Sequence, residues 1–148
     1  MLQFFAKSPL RLGRLYISAS AVQCAWPYLI YQNWEEARGF LHIPILGWSL
    51  ALIWVGMCWV IPHLFYIGNA LVRSARRTTL VEQSPHQKNL ATNTVLVLMA
   101  GIVMDLILLP TVLAYITDPG WIIMLSGLMG GRVLMANMEA IFAYYYKP

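Results

Sequence analysis

The stretch TVLVLMAGIVMDLILLPTVLAYITDPGWIIMLSGLMGGRVLMANMEAIFAYY, residues 94–145, consists of two apolar runs on either side of Thr117-Asp118-Pro119-Gly120. Asp105 lies deep inside the first run and Arg132 deep inside the second. Each run has the roughly 20 residues that a helix needs to cross a hydrocarbon core of about 30 Å. Asp-Pro-Gly supplies turn chemistry, with proline setting φ and glycine permitting the positive φ of a tight reversal. The two helices are therefore expected to be antiparallel neighbours. Residues equally far from the turn lie at equal depth, so position 105 faces position 133, one residue from Arg132. An unpaired charge at that depth costs about 2.5–3.5 kcal/mol even on the lenient insertion scale, so the reading predicts an Asp105–Arg132 ion pair across the hairpin.

The rest of the chain agrees with a bilayer as solvent. Its 148 residues are 59% hydrophobic and 11% charged, with mean hydropathy +0.62, whereas soluble domains carry roughly 25% charged residues. The expected architecture is all-α: a polytopic membrane protein forming a single domain over residues 1–148. Four transmembrane helices are expected, at about 15–32, 42–67, 94–116 and 121–143, with a cytoplasmic loop at 69–93. Cys24 and Cys58 show no metal-ligand spacing and are expected to be small buried hydrophobes. The excess of basic over acidic residues, 10 against 6, reads as loop charge and not as a nucleic-acid surface.

Loop charge also sets the topology. Residues 1–14 sum to +3, 33–39 to −1, 69–93 to +3 and 117–120 to −1. Such alternation requires a crossing between residues 14 and 33 and puts both termini on the cytoplasmic side. Hydropathy alone supports that crossing least, because Ser18, Ser20, Gln23 and Pro27 interrupt it. The segment before it, with Lys7, Arg11 and Arg14 among Leu and Phe, is expected to be amphipathic, to lie along the headgroups and to be broken at Pro9. Pro44 is expected in the first turn of the second span, and Pro62 should kink or stop it. Trp34 and Trp121 mark the outer boundary, Tyr144, Tyr145 and Tyr146 the inner one. Arg73, Arg76 and Arg77 form a cluster suited to anionic lipid headgroups.

Three further features bear on function. Ser126-x-x-x-Gly130 and Gly127-x-x-x-Gly131 give the last helix a smooth strip for close approach by another helix, in this chain or in a partner. Glu139 lies two turns beyond Arg132, with Asn137 close by, and these could extend a polar pathway from the cytoplasm toward Asp105. His42 and His63 are 21 residues apart on one expected span, about 30 Å along its axis, which excludes joint ligation of one iron. No Ser-His-Asp order, phosphate-cradling glycine loop or H-E-x-x-H motif is present.

The expectation is accordingly a non-enzymatic membrane protein acting through helix–helix contacts, without metal or cofactor. It would serve as a subunit or accessory factor of a secretion, conjugation or respiratory assembly, or as an immunity or exclusion factor. The alternative is a small oligomeric ion- or proton-coupled transporter or channel using Asp105, Arg132 and Glu139. Expected partners are the anionic lipid bilayer and other membrane subunits or further copies of the chain, with no nucleic acid. The expected location is the bacterial inner membrane, or alternatively the mitochondrial inner membrane.

Overall fold

The computed structural model describes residues 1–75 and 85–145, the side chains of 85–90 excepted. The described residues form seven helices and no strand. Three stretches, Leu46–Ala75, Ala91–Tyr115 and Pro119–Tyr145, are long and apolar enough to cross a membrane. They belong to α5 (Leu46–Ala75), α6 (Pro85–Tyr115) and α7 (Pro119–Tyr145). Much of their apolar surface points outward, for example Val55, Val103, Ile107, Leu128 and Met135. That pattern suits helices whose surroundings are hydrocarbon.

Ahead of them come α1 (Leu2–Ala6), α2 (Pro9–Gln23), α3 (Ala25–Gln32) and α4 (Trp34–Leu41). Pro9 does end one helix, as expected, but it also opens the next. It occupies the first position of α2 behind an extended Ser8, where its missing N–H is an orphan anyway. Residues 1–14 are therefore not one continuous helix. Instead α1 docks on α6 with Ala6 buried, while Arg11 reaches back, its guanidinium 3.2 Å above the Phe4 ring and its Nη1 donating to the Phe4 carbonyl.

The stretch expected as a first span, 15–32, is divided into α2 and α3 at Cys24. Pro27 explains the division, because it has no N–H for the carbonyl of Gln23. The backbone still bonds across the joint, Cys24 N–H to Ser20 (3.1 Å) and Tyr28 N–H to Cys24 (3.2 Å). This pair of helices runs antiparallel to α5. Gly13 meets Gly68 near one end, Ser20 Oγ donates to the Ile61 carbonyl (2.9 Å) midway, and the Trp34 ring just beyond α3 tilts on that of Trp54 at 5.3 Å.

Several boundaries differ from the sequence reading. α5 starts at Leu46, not near 42, so Pro44 lies in the preceding turn. There Leu46 N–H donates to the Pro44 carbonyl (2.7 Å) around Ile45, whose φ is +67°. Pro62 deprives the Cys58 carbonyl of its donor but does not end α5, which continues to Ala75. The expected loop 69–93 is shorter because helix extends into it from both sides, α6 beginning at Pro85. A helix satisfies its own backbone donors in hydrocarbon or headgroups alike, so it can overrun the boundary that hydropathy marks.

The turn between α6 and α7 also works otherwise than expected: no described glycine has positive φ. Asp118 caps α7 instead, its Oδ1 accepting from the N–H of Gly120 (2.8 Å) and Trp121 (3.2 Å), with Pro119 in the first helical position. Cys24 and Cys58, expected to be buried, are both exposed. Each neighbours an inward side chain, Gln23 or Met57, and so faces out.

Two apolar clusters fill the interior. Toward the end carrying the 116–118 turn lie Trp26, Leu29, Ile30, Val112 and Ile123. At the opposite end lie Leu15, Tyr16, Leu64, Val95 and Ile141.

Candidate functional site

The polar residues of the interior form a line along the face where α2 and α3 meet α6 and α7. On α2 and α3 the inward positions are Tyr16, Ser20, Gln23 and Trp26, all at most 4% exposed. Their spacings of four, three and three residues follow one stripe of a helix. On α7 the inward positions Ser126, Gly130, Val133, Asn137 and Ala140 follow a similar stripe. Side chains on these stripes pair across the interface. The Tyr16 hydroxyl donates to the Ala140 carbonyl at 2.8 Å, and Asn137 Nδ2 donates to Gln23 Oε1 at 2.7 Å.

Farther along α7, Arg132 Nη2 donates to Asp105 Oδ1, so the ion pair expected from the hairpin register forms. The same oxygen accepts a second bond, from Trp26 Nε1 at 3.0 Å. Asp105 is fully buried, whereas the Arg132 side chain is 23% exposed. One carboxylate thus ties α3, α6 and α7 together. Gly101 makes room for this, since a methyl group there would stand 3.3 Å from Arg132 Nη1 and 3.8 Å from Gln23 Nε2. Four buried polar atoms have no hydrogen-bond partner among the described residues: Asp105 Oδ2, Arg132 Nε, Asn137 Oδ1 and Ser126 Oγ.

The remaining predicted residues are distributed as follows. Asn137 joins the interior line through Gln23, but Glu139 is exposed and is not brought to Asp105. The small-residue strip is used within the chain. A methyl group on Gly127 would come 2.6 Å from Leu50, and one on Gly130 2.7 Å from Ile53 and 2.9 Å from Met57. Gly131 lies beside Ile53, and Ser126 is buried. The helix that approaches this strip is α5. Arg73 is exposed at the end of α5, whereas Arg76 and Arg77 fall outside the described residues, as does Tyr146. His42 is exposed near the 116–118 end; His63 stacks on Trp59 at 5.1 Å, with Tyr66 and Tyr145 close by. Among the described residues no three His, Cys, Asp or Glu side chains gather where they could hold a metal ion.

Sequence reasoning missed Trp26, Gln23, Tyr16 and Ser20. The signal was present. Ser20 and Gln23 look like flaws in an apolar span, yet together with Tyr16 and Trp26 they repeat with helical period. The reading also passed over the glycines of α2 and α5. Gly13 and Gly68 bring two backbones together so closely that a Cβ on either would meet the other's carbonyl oxygen at 2.7 Å.

Chemically, the arrangement clamps three helices through one buried carboxylate and places two further polar pairs on the same line. No protein-family model matches the chain, and neither curated proteins nor solved structures give a match.

Proposed function

We propose that this chain is a small non-enzymatic protein of the bacterial inner membrane, with four spans and both termini cytoplasmic, that acts through contacts with other membrane subunits or further copies of itself. Support for a fourth crossing comes from α2 and α3. Residues 9–32 correspond to about 36 Å of helix, more than a hydrocarbon core of about 30 Å. They also follow α5 from Gly68 to the Trp54 level, and loop charge alternates in the sense this topology needs. The basic 69–93 segment faces anionic headgroups in this reading.

The observation that carries the functional reading is the closure of the Asp105 node. Trp26 and Arg132 both donate to one oxygen, and toward the 116–118 end the interior is apolar, with Leu29, Ile30, Val112 and Ile123. These two bonds hold α3, α6 and α7 together, and the surface this reading assigns to contact is the apolar exterior of α5, α6 and α7. The test is gentle detergent extraction with mass analysis of what accompanies the chain, alongside proton flux in liposomes. A stoichiometric companion or self-assembly with no flux is expected.

A second reading, a proton- or ion-coupled transporter, is favoured by the unpartnered Asp105 Oδ2 and Arg132 Nε within the membrane. Flux that is present in the wild type and absent in Asp105→Asn would replace the contact reading with this one.

A further inference from the structure

We infer that the cavity under α4 is a binding site for one acyl chain of a membrane lipid. The cavity measures about 220 Å³ and is bounded by α3, α4, α5 and α7, with Ile30, Trp34, Ala37, Ala51, Trp54 and Gly127 in its walls. Small residues leave room for it: Ala37 under the roof and Ala51 on one wall, while Leu50 packs against Gly127 on the other. The roof is amphipathic. Ala37 is the buried residue of α4, while Glu35 and Arg38 pair at 2.8 Å on the outer side, both well exposed.

Three observations select hydrocarbon as the occupant. The lining is almost wholly apolar, so it offers water far fewer than the two to four polar partners it needs. The volume exceeds the roughly 150 Å³ of an apolar cavity that stays dry and takes up benzene. Its lining also includes Val55 and Leu41, both exposed on the outside of the bundle, so the cavity meets the surroundings of the helices there. A void there forfeits the dispersion contacts of its whole lining, and an acyl chain entering sideways from the leaflet restores them. The Trp34–Trp54 ring pair, in contact at 5.3 Å, forms part of the wall at the level where the roof helix lies. The inference needs only that α5 and α7 stand in a bilayer, so it does not depend on the contact function or the number of crossings.

The full-length protein, reconstituted in phosphatidylcholine vesicles containing a trace of phosphatidylcholine with a mid-chain diazirine, is irradiated and its labelled peptides are mapped. Label is expected on Leu50, Ile53, Trp54 and Ile123 above the level on the outward residues Leu106 and Ile107 of α6. Ala51→Phe fills the cavity and lowers that label about tenfold, as when roughly two methylenes lose their place, with Leu106 and Ile107 unchanged. Ala37→Leu narrows it from the roof and serves if the first variant fails to fold. Label spread evenly over cavity and exterior, or cavity label undiminished in a folded variant, overturns the inference.

Discussion

Replacing Asp105 separates the charge of the node from its hydrogen bonds. In Asp105→Asn the amide oxygen can still accept from Trp26 Nε1 and Arg132 Nη2, and the new NH2 takes the place of an oxygen that has no partner. What disappears is the negative charge. An uncompensated guanidinium then remains near mid-membrane at a cost of about 2.5–3.5 kcal/mol, eased by whatever lean its 23% exposure allows. Asp105→Leu also orphans the Trp26 N–H, adding about 1–3 kcal/mol. Asp105→Leu with Arg132→Leu removes both charges and retains only the orphaned indole, about 1–3 kcal/mol. The double variant is therefore expected to be more stable than Asp105→Leu alone. Graded heating of the detergent-solubilised protein, followed by size-exclusion recovery, ranks these chains together with Arg132→Leu alone. If the double variant loses the sum of the two single losses, Asp105 and Arg132 are not coupled and the reasoning fails.

Other outcomes follow from the same geometry. Exchanging the charges, Asp105→Arg with Arg132→Asp, should restore accumulation only in part, because the Trp26 N–H would then face a donor; full restoration would argue that Trp26 contributes nothing. Gly68→Ala drives a methyl into the Gly13 carbonyl at 2.7 Å and should cost about 1–3 kcal/mol, while Gly39→Ala, with open space around it, should be neutral or better in the same thermal assay. Ile45→Gly should stabilise by about 1–2 kcal/mol, since a β-branched residue at φ +67° is strained and Ile45, 82% exposed, gives up little packing. Gln23→Leu leaves the Asn137 amide without its acceptor and should cost about 1–3 kcal/mol, much of it recovered by adding Asn137→Leu.

Depth counting from a short hairpin reached the Asp105–Arg132 pair because it rests on two rules that hold locally, antiparallel helices and a fixed rise per residue. The apolar runs of α5, α6 and α7 were legible for the same reason. Trp26 was not, since nothing in the sequence links α3 to α6 until α2 is known to lie along α5. The glycine strip was legible as a contact surface but not as one already used by Leu50, Ile53 and Met57. Helix ends were misplaced where hydropathy stood in for hydrogen bonding: at Pro44, where a tight turn intervenes, and at the two ends of 69–93, where helix runs on to Ala75 and begins again at Pro85. Asp-Pro-Gly marked the reversal correctly, yet it works by capping a helix, which uses the aspartate oxygen and not glycine's conformational freedom.

The polar stripe of α2 and α3 has a consequence for how the protein is made. Tyr16 and Gln23 find their partners in Ala140 and Asn137, 124 and 114 residues later, and Trp26 finds Asp105 after 79. As the chain emerges from the ribosome, the α2–α3 segment is therefore the last to be fully satisfied. Tyr16 and Gln23 gain these partners only once α7 has arrived. A nascent chain stopped before residue 119 would have only the Trp26–Asp105 bond of those three to hold that segment among the helices. Maturation is thus closed by the C-terminal helix, and quality control that senses exposed Gln23 and Tyr16 would be reading whether synthesis has finished.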